Sequence, residues 1–149
     1  MILNKQQIKQ LEFYFYNEKR IATAVKFARL EQDAHKPSVG SNKAISDPTA
    51  MTAIRHIMPI KFVFLTEGLF TTRVKNPEKW LGVIAKTYRQ FEGQLAGELA
   101  RRRYRLSEKP DFTADNMRIG QRTYYDWRDD FILQAMLFAV SENLMKPCE

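Results

Sequence analysis

The side chains best suited to recognition chemistry lie at residues 120–128, in the sequence Gly-Gln-Arg-Thr-Tyr-Tyr-Asp-Trp-Arg. At helical spacing, Thr123, Tyr124 and Trp127 share one face and would pack against the domain. The outward face would present Gln121, Arg122, Tyr125 and Arg128. Amide and guanidinium groups can bind base edges in the major groove and phosphates beside it. The segment therefore predicts the recognition helix of a helix-turn-helix domain, with Arg122 as the main base-reading residue.

The residues before this segment predict the first helix and the turn. Pro110 can open a short helix that runs to about Met117, because the first helical position has no use for a backbone N–H. Arg118 and Ile119 would form the turn, with Ile119 pointing inward, and Gly120 would cap the second helix. That helix should continue for several turns, because apolar residues extend its packing face as far as residue 138.

The charge of the chain favours a polyanionic partner. It has 24 Lys and Arg against 17 Asp and Glu, a formal net charge of +7. Each phosphate that a basic side chain neutralises releases condensed counterions, which favours binding. The expected phosphate contacts are Arg101, Arg102, Arg103, Arg118 and Arg128. The arginines at 101–105 would equally suit the negative end of a helix dipole, and both interpretations stay open.

Acidic residues in the same helix weigh against a DNA role. Asp126, Asp129 and Asp130 would repel phosphates unless they point away or pair with nearby arginines. A short three-helix bundle without DNA-binding function would also show the same apolar spacing. The sequence therefore leaves the strength of DNA binding open.

The rest of the chain predicts an all-α helical bundle that ends in the helix-turn-helix. Apolar residues at helical spacing, without Gly or Pro, predict one long helix over 1–33, and residues 34–46 predict a linker. Two further helix starts are predicted, at Asp47-Pro48 and at Asn76-Pro77. The helix that begins at Pro77 would run toward Arg103 unless Gly93 and Gly97 weaken it. The predicted parts are 1–33, the linker 34–46, a central helical region 47–100 and a C-terminal DNA-binding region 101–149.

The first predicted helix carries four consecutive aromatic residues, at 13–16. They cannot all lie on one face of a helix, so some must contact a second surface. That surface belongs either to a partner subunit or to another helix of the same chain. We favour the same chain.

Several kinds of chemistry lack a motif in this sequence. Cys148 is the single cysteine, which excludes an intramolecular disulfide and fits a reducing compartment. His35 and His56 have no ligand partner at metal-binding spacing. No phosphate-binding loop, nucleophile elbow or carboxylate pair is present, so we expect no enzyme, catalytic residue, metal or cofactor. The longest apolar run, residues 57–65, is too short to span a bilayer, and we expect a cytoplasmic protein without membrane contact.

Five segments, taken in order, resemble a known family. They are Tyr16 with Lys19-Arg20-Ile21, Ser46-Asp47-Pro48-Thr49-Ala50, Asn76-Pro77-Glu78-Lys79-Trp80-Leu81, Arg102-Arg103-Tyr104 and residues 119–128. Their order is similar to that of the RinA/ArpU-like regulators of late transcription in phages and prophages of Gram-positive bacteria. The resemblance implies a C-terminal helix-turn-helix similar to sigma-factor region four. It also implies a sequence-specific activator of late genes that binds double-stranded DNA and contacts the host RNA polymerase.

Two other classes of function stay open. A DNA-recognition small subunit of a phage packaging terminase would use the same motif, with a separate helical surface to form a ring. A helical interaction protein that binds no nucleic acid would use the aromatic residues 13–16 as its contact. Mass in solution separates the packaging subunit from the transcription regulator, because a ring of many subunits favours packaging and a monomer or dimer favours transcription.

Overall fold

The structure is a computed structural model of the chain, and it describes residues 3–34 and 58–147. The predicted helix start at Asp47-Pro48 and nearly all of the predicted linker lie outside the described residues. So do His35, His56 and Cys148.

The described chain is mostly helical, as predicted, but it is not purely all-α. In chain order, a two-stranded antiparallel sheet comes after the second helix and before the third helix of the described residues. The helices are α1 (Lys5–Tyr16), α2 (Glu18–Ala34), α3 (Pro77–Gln90), α4 (Leu95–Ala100), α5 (Pro110–Met117) and α6 (Gln121–Ser141). A π-helical turn, Arg101–Arg105, follows α4 directly, and the strands are β1 (Phe62–Glu67) and β2 (Phe70–Lys75).

The β1–β2 hairpin corrects the expectation of a wholly helical region over 47–100. Val63 and Leu65 are buried and alternate with exposed neighbours, which is the period of a strand rather than of a helix. Gly68 adopts a φ of 59° in the turn, a conformation that only glycine takes without steric cost. Glycine at the first position of a two-residue loop suits a tight hairpin. The apolar run at residues 57–65 did not distinguish a helix from a strand, because short buried segments of the two have similar sequences.

The single long helix predicted over 1–33 is two helices, and Asn17 separates them. Asn17 ends α1 with φ −101° and ψ 13°. Its side-chain amide donates a hydrogen bond of 2.8 Å to the carbonyl oxygen of Phe13, and its backbone N–H donates to the same oxygen at 3.1 Å. Such local bonds let asparagine compete with the regular helix.

The helix predicted to run from Pro77 toward Arg103 is also interrupted, close to the two glycines that weaken it. Gly93 adopts a φ of 76°, which is left-handed. Gly97 lies so close to Phe91 that a Cβ atom at this position would collide with the carbonyl oxygen of Phe91. The chain therefore turns between α3 and α4, and both glycines have a structural reason.

The described residues fall within two compact units, Met1–Lys19 with Lys79–Glu149 and Arg20–Glu78. The first unit holds a large aromatic core. Phe131 of α6 lies at its centre, with the ring centroids of Phe15, Tyr88 and Phe91 each 5.2 Å away. Burial of this apolar surface is the main stabilising contribution to the unit.

The aromatic residues of α1 pack within their own chain, as favoured above. Tyr14 stacks on Trp80 of α3 with 3.7 Å between ring centroids. Phe15 is buried against the core, and Tyr16 contacts Tyr104 edge to face while staying half exposed.

The second unit holds the hairpin and most of α2. Arg20 of α2 donates a hydrogen bond of 2.8 Å to the carbonyl oxygen of Thr66 in β1. Arg29 donates to the carbonyl oxygen of Met58 at 2.8 Å and to the carboxylate of Glu78 at 3.0 Å. Two arginines of one helix thus bind the segments before, within and after the hairpin.

Candidate nucleic-acid interface

The α5–α6 pair has the boundaries that the sequence predicts. Pro110 occupies the first turn of α5, and Arg118 ends that helix in the left-handed conformation, with φ 56° and ψ 47°. The N–H of Ile119 donates to the carbonyl oxygen of Ala114 at 3.0 Å, which satisfies the end of α5. Gly120 then caps α6 with an extended backbone. Three residues, 118–120, therefore connect the two helices.

A small apolar cluster holds the two helices against α4. Tyr124 of α6 is almost completely buried, together with Leu99 of α4 and Ala114 of α5. Partly buried side chains complete the cluster, namely Met117, Ile119 and Trp127. Of the packing face predicted from Thr123, Tyr124 and Trp127, the cluster contains Tyr124, its most buried member, and Trp127. Thr123 is half-buried.

Arg118 and Arg122 lie on either side of the α6 N-terminus, and both are exposed. Among residues 3–34 and 58–147, neither side chain makes a hydrogen bond or an ion pair. Gln121 is exposed beside them, and its amide donates a hydrogen bond of 3.0 Å to the carboxylate of Asp111. These three side chains form the surface that we call the α6 N-terminal surface.

Tyr125 continues the outward face and Arg128 does not. Tyr125 is 40% exposed. The Arg128 side chain is only 16% exposed, and its Nη1 lies 3.8 Å from the carboxylate of Glu12. Its Nε donates to Asp129 at 2.9 Å, and its guanidinium lies 5.0 Å from the Tyr125 ring centroid. The predicted outward orientation of Arg128 is therefore wrong, because its guanidinium lies between Asp129, to which it donates a hydrogen bond, and the buried carboxylate of Glu12.

Arg103 is also directed inward. Its Nε donates to Glu12 at 2.8 Å and its Nη1 donates to the Tyr124 hydroxyl oxygen at 3.0 Å. Desolvation acts to lower the pKa of Arg103, but its hydrogen bonds to Tyr124 and Glu12 outweigh that effect and raise the pKa. The side chain holds the helices together and does not face solvent as a phosphate contact would.

Arg101 and Arg102 share a carboxylate partner near the surface. Arg101 donates to Glu98 at 2.7 Å and Arg102 donates to it at 3.1 Å. These hydrogen bonds lower the pKa of Glu98 to about 2. Arg102 also lies 3.7 Å from Glu108. Solvent screens an exposed ion pair of this kind, so Arg101 could exchange its carboxylate for a phosphate at little cost.

The acidic residues of α6 have different surroundings. Asp129 is paired with Arg128, whereas Asp126 and Asp130 are exposed. Asp115 of α5 is exposed as well. The exposed residues of α5 and α6 therefore carry charges of both signs.

Sequence reasoning missed Glu12, which organises the polar part of this region. Its carboxylate accepts hydrogen bonds from Arg103 and, at 2.7 Å, from the Tyr104 hydroxyl. The available signal was its position between Leu11 and Phe15 on the apolar face of α1, where a carboxylate needs a cation.

Within the described part of the chain, no group of three or more His, Cys, Asp and Glu side chains could hold a metal ion. No described helix combines the length and the apolar character needed to cross a bilayer. Comparisons with protein-family models, curated proteins and solved structures find no match to this chain.

Proposed function

We propose that this protein is a sequence-specific DNA-binding regulator that docks through the α6 N-terminal surface. One observation carries the proposal. Arg118 and Arg122 flank the start of a 21-residue helix, are exposed, and have no side-chain partner among the described residues. Side chains that are not committed to internal ion pairs can bind phosphate and base edges without first losing another interaction.

The start of α6 adds a favourable local field. The first N–H groups of a helix have no intrahelical partner, and the helix dipole places partial positive charge there. Gly120 caps the helix without a side chain, so no cap covers these N–H groups. A phosphate would fit at this end while Arg122 reaches a guanine edge in the major groove, a common specific contact.

The three-residue connection supports a helix-turn-helix, since such motifs join their helices by turns of about three or four residues. The ordered resemblance to RinA/ArpU-like regulators supports a finer proposal. The protein would then activate phage or prophage late genes in the bacterial cytoplasm, in contact with host RNA polymerase. The alternative function, a DNA-recognition subunit of a packaging terminase, would use the same α6 N-terminal surface to bind DNA.

The test is a selection of bound duplexes from a random double-stranded pool, followed by fluorescence anisotropy on the selected duplex and on a shuffled duplex. We expect one enriched sequence and tighter binding to it. Affinity should fall steeply between about 50 and 200 mM salt, because phosphate contacts release counterions. Absence of binding at the lower salt concentration would contradict the proposal. A ring of many subunits in sedimentation would contradict the transcriptional form of it and favour packaging.

A further inference from the structure

The outer face of the β1–β2 hairpin is both aromatic and basic. Strand register places Phe62 opposite Lys75 and Phe64 opposite Arg73. Phe62 is 46% exposed and Phe64 is 57% exposed, and their rings lie edge to face with 5.4 Å between centroids. Phe62 also borders a concave surface with Ala28 and Glu31 of α2, so Phe64 is the more solvent-exposed ring. The other face of the strand carries the buried Val63 and Leu65.

The strand side chains of this face carry charges of one sign. The face consists of Phe62, Phe64, Thr66, Thr71, Arg73 and Lys75. None of these six side chains, all within the described range 58–147, is acidic. The Arg73 guanidinium lies 5.7 Å from the Phe62 ring centroid, so cation and ring are already adjacent. The nearby Glu67 alternates to the other face and lies 3.9 Å from Arg20.

We propose that this hairpin face binds single-stranded nucleic acid, with bases stacked on Phe62 and Phe64 and phosphates bound by Arg73 and Lys75. Exposed aromatic rings on a strand beside cations suit unpaired bases, whose faces are free to stack. A duplex offers no such faces, because its bases are stacked on one another. The inference goes beyond the proposed function, since this surface and the α6 N-terminal surface belong to different units.

Charge also argues against a second copy of the chain as the occupant. Face-to-face pairing of two such surfaces would bring two sets of Arg73 and Lys75 together, and the facing strand residues supply no carboxylate to neutralise them. A polyanion meets the same surface with complementary charge.

The test uses the full chain and a fluorescently labelled oligothymidylate in anisotropy titrations. Phe64→Leu keeps apolar bulk at an exposed position but removes the aromatic face. Loss of one stacked base should weaken binding about five- to 150-fold, and Phe64→Tyr should bind as the parent does. Arg73→Gln should reduce the slope of log affinity against log salt by about 0.7. The matched control is Phe27→Leu, a similarly exposed ring on α2 of the same unit, which should change nothing.

Duplex binding separates this proposal from the proposed function. Phe64→Leu should leave the affinity for the selected duplex unchanged, and Arg122→Ala should leave the affinity for oligothymidylate unchanged. Four results would overturn the proposal. The first two are no binding of oligothymidylate by the parent at low salt, and equal affinities of Phe64→Leu and Phe27→Leu for oligothymidylate. The other two are loss of oligothymidylate binding in Arg122→Ala alone, and a Phe64→Leu variant that changes the oligomeric state but not the affinity for oligothymidylate.

Discussion

Arg103 and Glu12 form an ion pair in which both side chains are largely buried, with exposures of 12% and 11% and an Nε to Oε2 distance of 2.8 Å. The pair joins α1 to the π-helical turn, and the hydroxyl of Tyr104 donates to the same carboxylate oxygen. Because water is mostly excluded, each charge depends on the other to offset its desolvation.

Removal of the Glu12 carboxylate should therefore destabilise the protein strongly. Glu12→Ala leaves Arg103 and Arg128 partly buried without their shared anion, and we expect a loss of about 3–5 kcal/mol in the free energy of unfolding. Urea denaturation followed by circular dichroism measures this. Glu92→Ala, at an exposed position of the same unit, should cost less than about 0.5 kcal/mol. Equal stabilities of the two variants would show that the pair contributes nothing.

Tyr88→Phe should stabilise the protein, contrary to the usual effect of losing a buried hydroxyl. The Tyr88 oxygen is buried and has no hydrogen-bond partner among the described residues, and burial raises its pKa. The variant removes the unsatisfied group but keeps the ring under the Arg105 guanidinium, 3.8 Å from the centroid. We expect a gain of about 1 kcal/mol in the free energy of unfolding.

Tyr104→Phe is the matched comparison for this prediction. The Tyr104 hydroxyl donates to Glu12 at 2.7 Å, so its loss should cost about 1.5–3 kcal/mol. If thermal unfolding showed Tyr88→Phe to be as destabilised as Tyr104→Phe, the Tyr88 hydroxyl would have a partner in solution.

Stability should depend on the ionisation of Glu98 in acid. Hydrogen bonds from Arg101 and Arg102 lower the folded-state pKa of Glu98 to about 2, from an ordinary value of 4.5. The contribution is therefore complete above pH 4.5 and is lost as the pH falls from 4.5 to 2. Because the Glu98 side chain is 38% exposed, solvent screening makes this contribution small.

Carboxyl carbon chemical shifts from NMR at decreasing pH measure this titration directly. The Glu98 midpoint should lie near pH 2 in the parent, and Arg101→Gln should move it upward. A midpoint near pH 4.5 in the parent would mean that the arginines do not hold Glu98 in solution.

The sequence predicted the parts of the fold that local signals mark. Pro110 and Gly120 set the starts of α5 and α6, and the apolar period of residues 124–138 predicted a long second helix. The break at Asn17 escaped prediction because one side-chain hydrogen bond ends that helix without Gly or Pro. The hairpin escaped it because its buried run is short, and Gly68 is its clearest signal.

The site was predicted only in part, because orientation depends on residues far away in the chain. Arg118, Gln121 and Arg122 face solvent as expected. Arg103 and Arg128 turn inward, and each lies within ion-pair distance of the buried carboxylate of Glu12, which comes 91 positions before Arg103 in the chain. No spacing rule within residues 101–149 could reveal that partner.

The most direct test of the central claim is the effect of Arg122→Ala on binding to the selected duplex. Arg122 is exposed and unpaired within the described chain, so its removal should leave the free energy of unfolding within about 0.5 kcal/mol of the parent. Binding should weaken by about 1–3 kcal/mol, with relaxed sequence preference. Arg89→Ala, an exposed arginine of α3, should bind as the parent does. An Arg122→Ala variant that is stable and binds the selected duplex as tightly as the parent would contradict DNA recognition by this surface.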